Sequence, residues 1–196
     1  MPKQLVKMGS WTRYSRWLHK TFVEPLVRSV NPPWHDARAV SLGLIVGFLV
    51  PLGGHLVTLA LLRLFLRFSY VIAAAFTVVN NPLNIIPLYY GYYCLGSYIL
   101  GRPIAMDFRI FQKLMNPVMD KTYFWEAFAA FMNLGREILV RWLVAAVIVA
   151  VVFGIIGYVV TFKVQKNRCK RAAEKLGMKY EQFVEDLERN VRSGKI

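Results

Sequence analysis

Three stretches of this chain carry no charged side chain: residues 39–62, 68–101 and 142–162, which are 24, 34 and 21 residues long. Runs of that length offer water no polar face, so each must be buried or sit in lipid. With 56% hydrophobic and 18% charged residues among 196, the chain is too apolar for an ordinary soluble domain. Yet it is strongly basic, with 25 Lys and Arg against 11 Asp and Glu. The two properties are segregated along the sequence. Residues 1–38 hold seven cations against two acids, and residues 163–196 hold ten against five. Because the cations flank apolar blocks and do not line a polar groove, a disordered chain or a nucleic-acid partner is excluded. The expected fold class is all-α: a polytopic helical membrane protein with membrane lipids as its surroundings.

The second uncharged run would be about 51 Å long as one straight helix, against about 30 Å of hydrocarbon. It cannot be one straight span. Each of the first two runs carries a break about a dozen residues in: Pro51-Leu52-Gly53-Gly54 in the first and Asn80-Asn81-Pro82-Leu83-Asn84 in the second. Proline removes a backbone donor and clashes with the preceding turn, and paired glycines weaken helix continuation further. Pro51, Gly53, Gly54 and Pro82 are therefore expected helix breaks. The third run suits one bilayer crossing at about 31 Å. Residues 102–136 mix charges with aromatics, as an interfacial or extramembrane segment with short helices would.

Both ends read as amphipathic. In residues 1–38, Ser10 can cap a helix in which Trp11, Tyr14, Leu18 and Phe22 share a face, to lie in the headgroup layer or on the protein's own surface. Asn31-Pro32-Pro33 breaks the chain before the membrane block. In residues 163–196, five cations within nine residues follow the last run, and Phe183, Leu187 and Val191 recur four apart near the end. No cleavable signal sequence is legible, so the first block is expected to be an uncleaved anchor. The positive-inside rule then places both termini in the cytoplasm and requires an even number of full crossings. The simplest arrangement makes residues 39–66 a broken, re-entrant hairpin, residues 68–101 a broken span outward and residues 138–162 the span back. Four full crossings are the rival, with pieces of about 18 Å that are short for the task.

Few positions could host chemistry. Asn80, Asn81 and Asn84 are costly in lipid, so they must satisfy broken backbone, face a wet cavity or contact a substrate or ion. Interrupted segments in corresponding positions are how many transporters build a midplane site. An asparagine before proline is equally a capping device. His55 follows the first break and could carry a proton or cap the second half-helix. Arg63 and Arg67, one turn apart, could hold lipid phosphate or merely snorkel. Gly43 with Gly47, and Ser97 with Gly101, have small-residue spacing that close helix packing explains. The tyrosines at 89, 90, 92, 93 and 98 suit an interfacial belt or a sugar surface. Cys94 and Cys169 form no metal or disulfide motif, and no cofactor motif or metal site is present. There is no GxSxG, HExxH or P-loop, and no acid lies between Ala37 and Ala105, so no catalytic residue is assigned and no enzyme is expected.

The run GLIVGFLVPLGGHLVTLALLRLFLRFSYVIAAAFTVVNNPLNIIPLYYGYYCLGSYILG resembles the core of a bacterial membrane family, domain of unknown function 2062. The shared pattern is an Ala/Gly-rich helix entering a proline-glycine turn, a Leu-rich segment, then an Asn-Pro step and a tyrosine-rich helix closing on Leu-Gly. It covers about residues 30–160 through Pro51, Gly53, Asn81, Pro82 and Pro87. Family members often carry Ser or Thr near the Asn-Pro step, where this chain has Asn80 and Asn84. The resemblance implies an inner-membrane protein and supplies no catalytic residues; related domains occur alone or joined to glycosyltransferase-like domains. Two function classes follow. One is a transporter or flippase-like module for a lipid-linked or anionic amphiphilic substrate. The other is a non-catalytic structural or assembly subunit of a cell-envelope complex. Three helical blocks enclose little volume alone, so a homo-oligomer or a hetero-complex is expected in either case.

Overall fold

A computed structural model describes residues 16, 19–51, 53–80, 84–121 and 123–193. Among these there is no strand, and the fold is all-helical. Trp11, Tyr14, Leu18, Asn81 and Pro82 lie outside the described residues. A π-helical turn, His19–Val23, runs into a single turn α1, Glu24–Val27; the main helices are α2 Pro33–Leu49, α3 His55–Phe65, α4 Tyr70–Thr77 and α5 Ile85–Ile99. After them come α6 Phe108–Met119, α7 Phe124–Met132, α8 Arg136–Lys175 and α9 Tyr180–Arg192.

The first long helix starts at Pro33, where a proline loses nothing because the first-turn donors have no partner anyway. It ends at Leu49, since Val50 is extended before Pro51 and Gly53 turns the chain at φ 79°. The second block is interrupted between Thr77 and Ile85. α8 contains no proline, and its 40 residues make it far longer than the uncharged run suggested. The boundary expected at residue 163 is not a break, because good helix formers among the cations carry the helix on to Lys175. Gly177, at φ 65°, then ends it.

The packing follows from small residues. α2 runs antiparallel to α8: Ile45 sits on Gly154 and Leu44 on Gly157, while Gln165 meets Asp36. On its other side α2 runs parallel to α4, with Gly43 against the Ala73 carbonyl and Phe76, and Gly47 against Thr77 and Val79. A Cβ at Gly43 would lie 2.4 Å from that carbonyl oxygen, so the glycine is what lets the helices touch. Of the second small pair, Ser97 is buried, but Gly101 ends α5 at φ 62° with open space around it. The close approach is made instead by its neighbour Gly96, pressed on the Arg141 carbonyl of α8.

These contacts place α2, α4 and α5 along α8. Asp36 at the start of α2 is level with Gln165, whereas Phe48 near its end packs on Phe153, ring centroids 5.1 Å apart. Phe153 is 12 residues from both Arg141 and Gln165. The first break therefore sits halfway along this stretch, and the second adjoins it through Gly47. α3 turns back, and its following Arg67 accepts a hydrogen bond from Arg38 at 3.4 Å through its carbonyl. α4 enters beside α2, and α5 continues to the far end, where Tyr93 and Ser97 meet Arg141. α6 and α7 pack on each other at that end, under a core of Tyr89, Tyr93, Phe111, Met115 and Trp142.

Candidate functional site

Charged side chains collect at the two ends of the α8 stretch, while His55, Asn80 and Asn84 lie between them at the breaks. At one end, Asp36 is fully buried on the first turn of α2 and accepts from Asn31 Nδ2 at 2.9 Å and Gln165 Nε2 at 2.8 Å. Burial pushes its carboxyl above the usual range against those hydrogen bonds and the nearby Arg168. Gln165 also donates to the Leu26 carbonyl, and the Arg168 guanidinium donates to the carbonyls of Leu26 and Val27. The N-terminal segment is thereby fastened to α8. Phe22 adds an edge-on contact to Phe76, so this part of the segment packs on the protein itself.

Beside this latch lies a cavity of about 460 Å³ whose walls include Asn31, His35, Arg63, Arg67, Ser69 and Arg192. The last turn of α3 delivers Arg63 into this cavity and the extended segment after it delivers Arg67, so the two do not share a helix face as their spacing suggested, because the helix ends at Phe65. The C-terminal helix supplies Arg192, and it is held there by Trp34 Nε1 donating to Glu188 at 2.9 Å. Phe183 and Leu187 of α9 line a cleft against α8, so its apolar stripe serves self-packing. His35 is 7% exposed, its Nδ1 has no partner, and burial with the cations Arg38 and Arg63 lowers its pKa to about 4. The ring is neutral at pH 7 and adds a polar wall without charge. Three arginines, an asparagine and a serine among the lining residues are donor types that suit an oxyanion.

The other sequence candidates are distributed differently. The His55 ring faces the carbonyls of Gly47 and Val50, where α2 ends, and its Nε2 is buried without a partner. Asn80 is buried and donates to the Tyr89 hydroxyl at 3.5 Å, leaving its Oδ1 unpartnered. Asn84 Nδ2 donates to the Val79 carbonyl at 2.6 Å, bridging the second break. Gly47 touches both breaks, so they adjoin, but these side chains turn to different partners. Replacing Asn84 by leucine should strand the Val79 carbonyl and cost about 1–3 kcal/mol. A lower melting temperature in detergent checks it, and an unchanged one refutes the bridge.

The sequence did not single out the opposite end. There Arg141, 4% exposed, donates through Nη1 to the Tyr93 hydroxyl (3.1 Å), Ser97 Oγ (3.1 Å) and the Pro103 carbonyl (2.9 Å), and through Nη2 to Glu137. The legible signal was an acid and a cation four residues apart at the head of an uncharged run.

The model of a family described as uncharacterised proteins conserved in bacteria (DUF2062) matches residues 15–174. The chain belongs to this family. No curated protein and no solved structure matches it. The family region holds both breaks, the Asp36 latch, Arg141 and most of the arginine cavity. It stops before α9, so Arg192 and Glu188 lie outside the matched residues. Among the described residues no group of acids, histidines and cysteines could hold a metal ion. One described helix, Arg136–Lys175, is long and apolar enough to cross a membrane.

Proposed function

We propose that this family member is an integral protein of the bacterial inner membrane, both termini cytoplasmic, that receives the anionic headgroup of a membrane amphiphile in the arginine cavity as a transporter or flippase-like module. The carrying observation is that cavity itself: Arg63, Arg67 and Arg192 surround one space at the edge of an apolar surface. Leu61, Leu64 and Phe65 of α3 are exposed beside it, Phe65 to 84%. Exposed side chains of that size need an apolar environment, and a lipid tail would lie there when its headgroup is bound.

The membrane assignment has its own support. From Arg141 to Gln165 is 24 residues, about 36 Å of helix, which brackets about 30 Å of hydrocarbon. Between them, Val147, Ile148, Val151, Ile155, Ile156 and Val160 of α8 are exposed. On this reading the membrane begins at residue 39, α2 and α3 form a re-entrant hairpin reaching mid-depth, α4 and α5 make one broken crossing, and α8 returns. The cations of both termini then share the cytoplasmic side with the cavity.

The test is lipid binding by the full chain in detergent, followed by native mass spectrometry with phosphatidylglycerol and phosphatidylcholine. Wild type should retain phosphatidylglycerol preferentially. A charge-assisted hydrogen bond contributes about 1.5–3 kcal/mol, and tenfold in affinity is about 1.4 kcal/mol. Changing Arg63 and Arg67 together to glutamine should therefore weaken that retention at least about tenfold. Equal retention by the double variant overturns the site.

A further inference from the structure

The far end of α8 holds a second guanidinium whose arrangement is unfinished. Arg141 has five donors, and its Nη1 group is fully engaged by Tyr93, Ser97 and Pro103. The opposite edge, formed by Nε and Nη2, is the one that grips an oxyanion with two parallel hydrogen bonds. On that edge Nη2 meets a single oxygen, Glu137 Oε1, while Nε is buried with no partner at all. A buried donor of a charged group left unpaired is expensive. The Glu137 side chain is 66% exposed, so solvent competes for it. The same Oε1 lies 3.9 Å from the half-exposed Arg102, so two arginines converge on one carboxylate oxygen. A cavity of about 380 Å³ opens there, lined by Tyr93, Met106, Gly135, Arg136, Glu137 and Arg141.

We propose that the Nε–Nη2 edge of Arg141 is an anion-binding site for a phosphate-type oxyanion, covered in the unliganded protein by Glu137, which the anion displaces. Two oxygens of a tetrahedral anion satisfy Nη2 and the orphaned Nε together, which the monodentate carboxylate does not. Arg136 in the cavity wall and Arg102 beside Glu137 add attraction, and the released Glu137 swings into solvent. The site does not depend on the arginine cavity, which lies at the other end of α8. A free phosphate and a lipid headgroup present the same oxygens, so the experiment must tell them apart.

The test uses the full chain carrying Arg63→Gln and Arg67→Gln, so that the first cavity does not contribute. Inorganic phosphate is titrated calorimetrically in neutral detergent, and phosphatidylglycerol is offered separately in phosphatidylcholine nanodiscs. Adding Glu137→Gln removes the competing charge and should strengthen binding about tenfold, whichever form of the anion the site takes. Strengthening with phosphate assigns the site to a soluble anion; strengthening only with phosphatidylglycerol assigns it to a headgroup. Arg141→Lys keeps the charge without the fork and should abolish the gain. If that variant does not fold, Glu137→Gln still decides, because its amide oxygen can go on accepting from Arg141 Nη2, and an unchanged melting temperature checks that the fold is kept. Unchanged or weaker binding of both probes by Glu137→Gln overturns the proposal.

Discussion

Replacing Gly96 by valine is expected to abolish the folded protein, and alanine should already cost about 3 kcal/mol or more. A Cβ at this position would lie 1.9 Å from the Arg141 carbonyl oxygen and 2.6 Å from its carbon. These are backbone atoms of the longest helix, and no rotamer change relieves them. Overpacking a core commonly costs about 1–3 kcal/mol when side chains can shift; here α5 and α8 must move apart as bodies. The separation would also pull Tyr93 and Ser97 away from the Arg141 guanidinium, leaving a buried charge with fewer acceptors. The measurement is melting temperature and monodispersity in detergent. Gly91→Ala on the same helix is the control, since nothing lies within 4 Å of a Cβ there and helix propensity favours alanine. A Gly96→Ala protein as stable as Gly91→Ala would contradict the packing.

Stability should fall steeply between pH 6.5 and pH 4, through His35. In the fold its pKa is lowered to about 4 by burial and by Arg38 and Arg63, whereas in the unfolded chain it is near 6.5. Above pH 6.5 the ring is neutral in both states and no penalty applies. As pH falls, the unfolded chain takes up the proton and the folded one does not, so the folded state loses ground. By pH 5 the loss amounts to about 2 kcal/mol. Asp36 acts in the opposite sense: burial raises its pKa, so its contribution is complete below the ordinary carboxylate value and is lost as pH rises. The variant His35→Gln should flatten the melting temperature between pH 6.5 and pH 5. An unaltered slope would place the titration elsewhere.

The breaks were legible because proline and paired glycines act locally, whatever surrounds them. Pro51 and Gly53 end one helix and start the next within a few residues, and the Asn-Pro step falls between Thr77 and Ile85. The Gly43 and Gly47 surface was legible for the same reason, since small residues four apart on a helix have few other uses. Gly101 was misassigned because spacing alone does not tell a packing glycine from one that ends a helix in the left-handed region. The length of α8 was hidden because charge marks the limit of the apolar environment, not of the helix; Lys163 to Lys175 are good helix formers and simply continue it.

By itself, then, the sequence determined the all-helical class, the segregation of charge to the ends of apolar blocks, and the two interruptions. All three rest on backbone chemistry or on hydrophobic periodicity within one segment. Tertiary structure alone decided the sites. Arg67 and Arg192 share a cavity across 125 residues of sequence, and Asp36 finds Gln165 across 129. Such pairings depend on which face α2 turns to α8 and on where α3 returns, and those are set by the fit of Gly154, Gly157, Gly43 and Gly96 against their neighbours. Arg141 reads in sequence as a helix-end cation beside an acid; only the approach of α5 through Gly96 buries it among Tyr93, Ser97 and Pro103, with one edge of its guanidinium left incomplete.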